Sequence, residues 1–304
     1  MSESAPKSVP RSPAALIGFV RQRMANMLAR NSEGVSVGAW FISGVGRYAT
    51  AYATELERRR FADTEMGEPE LTAALSVSRH LNFGCGYDRR EGFVNVDSDQ
   101  ACKPDVLIGL GSMGAFPTSF YQTIVAKDVL EHIPRLSSLR MLLLFNDWLA
   151  TGGKLELQTS SILGVADLLR SRTDFSYHFG MVNCLFGSQM HSGDFHYTGF
   201  TETTLKVMLI ASGFSFGEFQ LVDGWMFKLD AVCSAPWYEW DDSSVLSEQE
   251  YCLAVFQSAL GRGPNEAESI VFTDLLLRLG RRGAALEIFS SPERLLMIAR
   301  LHGY

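Results

Sequence analysis

Apolar positions along this chain recur with two different periods, and the changes of period divide it into segments. Residues 14–30 place Leu16, Ile17, Val20, Met24, Met27 and Leu28 on one face of a 3.6-residue repeat, with Arg21, Arg23 and Arg30 mostly off it, which predicts an amphipathic helix. A break at Gly34, Gly38, Gly44 and Gly46 separates it from a second predicted helix, 48–61, which ends in Arg58-Arg59-Arg60. From about 78 to 232, short β-branched or apolar runs (81–83, 93–96, 123–126, 154–157, 225–232) alternate with helical stretches at 136–149 and 202–211. Such alternation predicts a mainly parallel sheet with right-handed crossovers. The insertion 161–199 is rich in aromatics and histidines and shows no strand pattern. Beyond a polar linker at 236–244 the pattern turns helical again, at 248–260, 266–279, 283–289 and 292–301. About 60 residues in four short helices bury little core by themselves, so this module is expected to pack against the preceding domain or a second subunit.

Composition narrows the class. With 304 residues, 46% hydrophobic and 20% charged, the chain reads as an ordinary soluble globular protein. Its net charge of −7 is unevenly spread: the first sixty residues hold nine Lys/Arg and four Asp/Glu, a net of +5, so the rest carries −12. An acidic body argues against a nucleic-acid partner, because phosphate neutralisation needs a basic face. Five scattered cysteines (Cys85, Cys102, Cys184, Cys233, Cys252) without a C-x-x-C pair suit reduced thiols in a cytoplasmic protein and no zinc site. No apolar run approaches the roughly 18 residues a membrane span needs. Residues 1–13 are Ser/Pro-rich, lack a signal peptide's apolar core and predict a disordered tail. A basic amphipathic helix such as 14–30 can lie on an anionic membrane, but docking on the following domain is the preferred reading. A homo-oligomer is left open.

The densest chemistry lies in residues 80–97. The strand 81–83 runs into Gly84-Cys85-Gly86, and the next strand ends in Asp97. Glycines at a strand's C-terminal end let a ligand approach the backbone. A carboxylate ending the next strand can accept ribose hydroxyls. A dinucleotide fingerprint would need a third glycine where Arg89 stands, and an acid about 20 residues on, whereas Asp97 comes eleven after Gly86. A pyrophosphate facing a helix N-terminus is therefore disfavoured. A smaller ligand with one ribose and a free amino-acid end fits better.

These residues resemble the class I S-adenosylmethionine-dependent methyltransferases, in a bacterial branch whose first motif is Leu-Asn-x-Gly-Cys-Gly (here Leu81 to Gly86) and whose second strand ends Asn-Val-Asp (Asn95-Val96-Asp97). The block Asp128-Val129-Leu130-Glu131-His132-Ile133, the turn and strand Gly152-Gly153-Lys154-Leu155-Glu156-Leu157, and Asp194-Phe195-His196-Tyr197-Thr198-Gly199-Phe200 with the following helix and Ser212-Gly213-Phe214 extend the likeness over roughly 78–232, about half the chain. The resemblance implies an α/β, Rossmann-like seven-stranded methyltransferase sheet, mainly parallel with an antiparallel last strand, flanked by N-terminal helices and a small C-terminal all-α module. The expected divisions are a tail at 1–13, a helical segment at 14–77, the methyltransferase domain at 78–235 and the helical module at 245–304. Within that last module, Ala259-Leu260-Gly261-Arg262-Gly263-Pro264-Asn265 and Phe289-Ser290-Ser291-Pro292-Glu293 resemble a helical unit of unassigned function found in bacterial secreted and glycan-associated proteins.

For S-adenosylmethionine, the resemblance assigns Gly84 and Gly86 to the methionine moiety, Asp97 to the ribose, and Cys85 between the glycines to the cofactor-binding set. Gly109-Leu110 stand beside the adenine, where relatives often carry Asp-Leu, and Asp128 ends strand four against the methionine. An oxygen nucleophile must lose a proton, and imidazole suits that role at neutral pH. The candidates are His196, His132 and His191, with Tyr197 as a helper; His196, in the acceptor-side insertion, is the first choice. His132 is expected on a helix over the cofactor. Glu131, His191 and Asp194 are candidate acceptor contacts. Enzymes methylating planar exocyclic amines carry Asn-Pro-Pro-aromatic where Ala126-Lys127-Asp128-Val129 stands, which favours an oxygen of a saccharide or another small hydroxylated metabolite. The expected reaction uses no metal. Alternatives are a divalent-ion site at Asp128, Glu131, His132 and a later histidine, suited to Mg²⁺ or Mn²⁺, and a catalytically silent scaffold, for which Gly109 is the one sign.

Overall fold

A computed structural model describes residues 67–189, 193–238 and 246–304. The tail, both predicted N-terminal helices, His191 and most of the linker lie outside these residues.

Helix α1 (Glu68–Leu75) precedes strand β1 (His80–Phe83), and β2 (Val94–Asp97), the short β3 (Val106–Leu107) and β4 (Tyr121–Lys127) follow. Next come α2 (Ser138–Trp148) and β5 (Leu149–Ser160), then α3 (Ile162–Ser171), α4 (Phe175–Phe186) and α5 (Glu202–Ala211). Strands β6 (Phe214–Phe216), β7 (Gln220–Val222) and β8 (Met226–Cys233) complete the sheet, ahead of α6 (Glu248–Leu260), α7 (Glu266–Phe289) and α8 (Pro292–Leu301). The sheet order is β3-β2-β1-β4-β5-β8-β6. From β3 to β5 all pairings are parallel, while β8 runs antiparallel between β5 and β6. This is the expected Rossmann-like arrangement, with one refinement: the edge position beyond β8 is shared by β6, beside Ala231–Cys233, and β7, beside Met226–Lys228.

Sequence pattern follows burial. Ile124, Val125 and Ala126 of the central β4 are wholly buried, as a strand covered on both faces requires. Strand β8 alternates instead, hiding Phe227, Leu229, Ala231 and Cys233 and turning Lys228, Asp230 and Val232 outward. Helix α2 is buried almost all round, and its Phe145 and Trp148 join Phe83 and Phe116 in an aromatic cluster in which Phe116 and Trp148 stack with ring centroids 3.9 Å apart.

Three elements differ from the sequence reading. Strand β5 continues through Gly152 and Gly153, where a turn was expected, and the register with β4 slips between Tyr121 and Thr123. A Cβ on Gly153 would lie 2.7 Å from the Ala150 carbonyl oxygen, so the glycine accommodates a bulge. The insertion forms two helices, α3 and α4, started by the Ser161 and Asp174 side chains, which accept the Gly164 and Tyr177 N–H groups. His132 lies on a single 3₁₀ turn, Leu130–His132, and not on the long helix, which begins only at Ser138. The helical break expected near residue 280 is present as a kink within α7 at Gly280 (φ 69°, ψ 179°). Among the described residues no helix is long and apolar enough to cross a membrane.

The C-terminal helices share one apolar core with the sheet. Arg282 pairs with Asp147 and Arg140 with Glu287, joining α7 to α2. The half-buried Arg294 of α8 donates to the carbonyls of Ala211 (3.0 Å), Ser258 (3.3 Å) and Ala259 (3.0 Å), holding the C-terminal ends of α5 and α6 together. Arg294→Met keeps much of the apolar stem but leaves these carbonyls without their donor. It is expected to lower the unfolding free energy by on the order of 3 kcal/mol in urea titration. A loss under about 1 kcal/mol would show that apolar contact alone anchors α8.

Candidate functional site

The site grows from the loop between β1 and β2. Gly84 (φ 65°) is a glycine for a packing reason: a Cβ there would lie 2.5 Å from the Val129 Cγ2. Gly86 (φ 49°) would meet nothing within 4 Å, so its left-handed backbone presents an open face. The loop is fixed from beneath by two buried asparagines. Asn82 donates to the Asp88 carbonyl (2.7 Å) and to the Asn95 side chain (3.0 Å), while Asn95 accepts from the Arg90 N–H (2.7 Å) and donates to the Asp105 carboxylate (2.7 Å). Asp105 in turn pairs with Arg89, and these donors hold its carboxyl below the usual range despite an opposing desolvation effect.

Asp97 faces this loop across the end of β1. Its carboxylate accepts from the Gly86 N–H (2.7 Å) and the Asp99 N–H (2.9 Å). Two donors occupy about half of a carboxylate's lone-pair sites, leaving acceptor capacity. Cys85 turns away: it is buried, does not line the cleft, and burial, reinforced by Asp97, pushes its thiol up to about 12. Its buried thiol donates to the Gly86 carbonyl (3.4 Å) beneath the glycine loop.

A cleft of about 560 Å³ opens over the C-terminal ends of β1, β2 and β4. The strand order reverses between β1 and β4, the position where open α/β sheets bind ligands. Gly84, Gly86, Asp97, Asp128, His132 and Asp194 all border it, with Ile108 and Met113 on the wall beyond β3. Gly109 is buried next to Ile108 and does not line the cleft; Leu110 opens the following 3₁₀ turn. Asp97, Asp99, Asp128 and Asp194 give the cleft four carboxylates, and no Lys or Arg among the described residues lines it.

Asp128 (φ 53°) accepts from the Gln158 side-chain amide at 3.1 and 3.3 Å and caps no helix. The cleft walls strip water from its carboxyl and raise its pKa, against the opposing pull of Gln158, Lys127 and His196. Glu131 is 2% exposed, and its carboxylate accepts from the Thr159 hydroxyl (2.8 Å). Burial pushes this carboxyl up to about 7. Its carbonyl accepts the N–H groups of Tyr197 (2.7 Å) and Thr198 (3.1 Å), which fastens the insertion to the 3₁₀ turn. Glu131 therefore supports the site from behind and does not line the cleft, unlike the acceptor contact expected from sequence.

The two histidines meet, with ring centroids 4.7 Å apart and an edge-to-face angle of 85°. His132 Nδ1 lies 3.2 Å from the Phe195 carbonyl oxygen, and His196 Nδ1 lies 3.2 Å from that of Cys184. A carbonyl partner selects the Nδ1-protonated tautomer and leaves Nε2 as the basic nitrogen of each ring. Burial lowers the His196 pKa, against the pull of the Cys184 carbonyl, Asp194 and Asp128. His132, not His196, borders the cleft, and Tyr197 is exposed beside Phe195. Asp128, Glu131 and His132 do not converge as metal ligands, and among the described residues no group of three His, Cys, Asp or Glu does.

Asn82, Asn95, Asp105 and Gln158 are supports that the sequence reading did not single out. The asparagines were visible as polar residues at inward strand positions, which burial makes costly unless they are bonded. Gln158 and Asp105 carried no local signal.

No protein-family model and no curated protein matches this chain. Among solved structures it is similar to an S-adenosylmethionine-dependent methyltransferase from Methanosarcina mazei, with 15% identity over 50% of this chain and 91% of that one and a TM-score of 0.36. It is also similar to the 1,6-didemethyltoxoflavin-N1-methyltransferase of Burkholderia thailandensis, with 14% identity, 76% and 92% covered and a TM-score of 0.35. A third likeness is to the 16S rRNA (adenine(1408)-N(1))-methyltransferase of Catenulisporales acidiphilia, with 12% identity, 57% and 94% covered and a TM-score of 0.35. Identities and TM-scores at this level assign the chain to no family.

Glu131 makes stability depend on pH. A carboxyl raised from 4.5 to about 7 binds its proton more tightly in the native state, so its contribution is complete below about 4.5 and lost as pH rises through 7. Glu131→Gln, uncharged throughout, is expected to gain on wild type by about 2 to 3 kcal/mol between pH 5 and pH 8 in urea titrations. A pH-independent offset would show that Glu131 ionises at its ordinary pKa.

Proposed function

We propose that this chain is an S-adenosylmethionine-dependent methyltransferase that methylates an oxygen of a saccharide or another small hydroxylated metabolite. The observation that carries the reading is the Asp97 carboxylate, aimed by the Gly86 and Asp99 N–H groups across the glycine loop at the cleft. That arrangement suits a ribose diol against Asp97, with the open face of Gly86 beside the amino-acid end. Ile108 and Met113 offer an apolar wall for the adenine. When bound, S-adenosylmethionine supplies the methyl group for in-line transfer.

His132 is the base this geometry favours, in place of His196, because His132 borders the cleft. Its Nε2 accepts the acceptor's hydroxyl proton while Nδ1–H remains bonded to the Phe195 carbonyl. His196, its basicity lowered by burial, is the positioning residue that holds the His132 ring edge-to-face. Asp128 and Asp194 disfavour phosphorylated or carboxylated acceptors, which supports a neutral hydroxylated one. The saccharide class rests on the likeness of the C-terminal blocks to a unit of glycan-associated proteins.

Calorimetry with S-adenosylhomocysteine tests the cofactor assignment: the wild type is expected to bind, and Asp97→Ala to bind about 10- to 150-fold more weakly. No binding by the wild type would overturn the reading. Given a saccharide acceptor, His132→Ala should lower turnover about 10²- to 10⁴-fold with S-adenosylhomocysteine affinity kept within a few-fold. Turnover within threefold of wild type would return the role to His196 or Tyr197.

A further inference from the structure

Helices α2 and α7 face each other with the spacing of packed helices, but they do not close on each other. Arg140, Met141 and Leu144 of α2 and Leu279, Gly283 and Leu286 of α7 stand three and four positions apart, one row on each helix. In a closed core such rows interdigitate and leave few voids larger than a water molecule. Here they border a cavity of about 450 Å³, a size within the roughly 300–1,000 Å³ of small-molecule sites. Phe116, stacked on Trp148, and Trp237 add aromatic walls. Among the described residues the cavity shares only Met113 and Ile133 with the cleft over β1, β2 and β4, so it is a separate space behind that wall.

Two features of the cavity define what fits it. The first is charge. Arg140 and Arg282 both border it, but Arg140 is paired with Glu287 and Arg282 with Asp147, so each guanidinium already has its counter-ion. An anionic ligand would have to displace a carboxylate of the protein, and a cationic one would meet two arginines. An uncharged ligand leaves both pairs in place. The second feature is Trp237. It is 5% exposed, and its indole N–H has no hydrogen-bond partner among the described residues. A buried tryptophan N–H normally has one, so a bare donor beside a cavity marks where an acceptor is missing. The ring is held in place: Phe289 packs against it with centroids 5.3 Å apart, and the Arg282 guanidinium lies 5.8 Å from its centroid.

We infer that this cavity is a second ligand site, which takes an uncharged aromatic molecule whose carbonyl-type oxygen accepts the Trp237 N–H. Flat rings suit walls that include Phe116, Trp148 and Trp237, and Met113 and Met141 add polarizable contacts that adapt to ring edges. One acceptor is enough, because both arginines are paired without the ligand. The site lies across Met113 and Ile133 from the cleft, so its ligand is distinct from the methyl donor and acceptor proposed above. The inference stands without methyl transfer.

The test uses acetophenone, its isostere α-methylstyrene, in which a methylene replaces the carbonyl oxygen, and benzoate. Each is titrated into the full chain and followed by NMR. The Met141 methyl signal reports occupancy in every variant, and the backbone-assigned Trp237 indole N–H reports the donor. Acetophenone is expected to bind with a Kd of about 1 mM or tighter and to move the Trp237 signal downfield, whereas α-methylstyrene should not. Trp237→Phe removes the N–H but also trims the ring, so the reading is the ratio of the two affinities. The preference for acetophenone over α-methylstyrene should fall about three- to tenfold from wild type to Trp237→Phe. Benzoate should bind about tenfold or more weakly than acetophenone. Leu144→Trp, which fills the cavity, should abolish the Met141 shift. No binding of acetophenone at about 10 mM would overturn the site, as would a Met141 shift that persists in folded Leu144→Trp. An unchanged ratio in Trp237→Phe, or benzoate binding as tightly as acetophenone, would overturn the assigned chemistry. If a variant does not fold, the wild-type comparison decides: equal movement of the Trp237 signal by acetophenone and α-methylstyrene would overturn the inference. None of these readouts involves S-adenosylhomocysteine, so failure here and failure of the cofactor assignment are read separately.

Discussion

Between β1 and β2 the side-chain amides of Asn82 and Asn95 meet at 3.0 Å, both almost wholly buried. Polar groups buried in this way stabilise a fold only when every strong donor and acceptor has a partner. Here the partners are the loop itself: the Asp88 carbonyl, the Arg90 N–H and carbonyl, and the Asp105 carboxylate. The loop 84–90 is thus held by the bonds that satisfy the two asparagines. That restraint lets Gly86 keep a left-handed conformation with its N–H aimed at Asp97. Without it the glycine loop would be a flexible turn, and Asp97 would lose one of the donors that orient it.

The opposite wall is built from a different kind of contact. The chain leaves β4 through Asp128 in the left-handed region and makes one 3₁₀ turn before α2 begins. Main-chain atoms of that turn then serve as a socket for the insertion: the Glu131 carbonyl takes the Tyr197 and Thr198 N–H groups, and the Ile133 carbonyl takes the Thr198 hydroxyl. Beneath it the Glu131 carboxyl is buried against Thr159 and stays largely protonated until near neutral pH. The pairing of His132 with His196 follows from this docking, since each histidine is bonded to a carbonyl within or beside the insertion.

The C-terminal helices bring no side chain to the cleft among the described residues. What they supply is closure of the core on the far side of α2 and α5, through Phe289, which packs against Trp237, and the half-buried Arg294. The guanidinium of Arg294, its pKa lowered to about 10 by burial, remains charged at physiological pH while bonded to helix-end carbonyls. The acidic cleft is instead lined from the loops after β1, β2 and β4, to which the insertion adds Gly193 and Asp194 among the described residues.

The sheet was legible in the sequence because its physics is local. A buried strand favours a short apolar or β-branched run, and a left-handed turn at a strand end favours glycine; 94–97 and 123–126 show the first directly and 84–86 the second. The membership of Gly84, Gly86, Asp97 and Asp128 in one cleft followed from strand order, which alternation of strand and helix largely dictates. Other features depended on contacts between residues far apart in sequence. Gly84 is fixed by Val129, 45 positions away; the Cys85 side chain is buried; Glu131 faces Thr159; and only docking of the insertion puts His132 at the cleft with His196 behind it. The direction of the apolar face of α4, which carries the exposed Phe175, Phe179 and Phe186, is of the same kind: its period is written in the sequence, but whether a helix turns that face inward or outward is decided by what the rest of the chain has already covered.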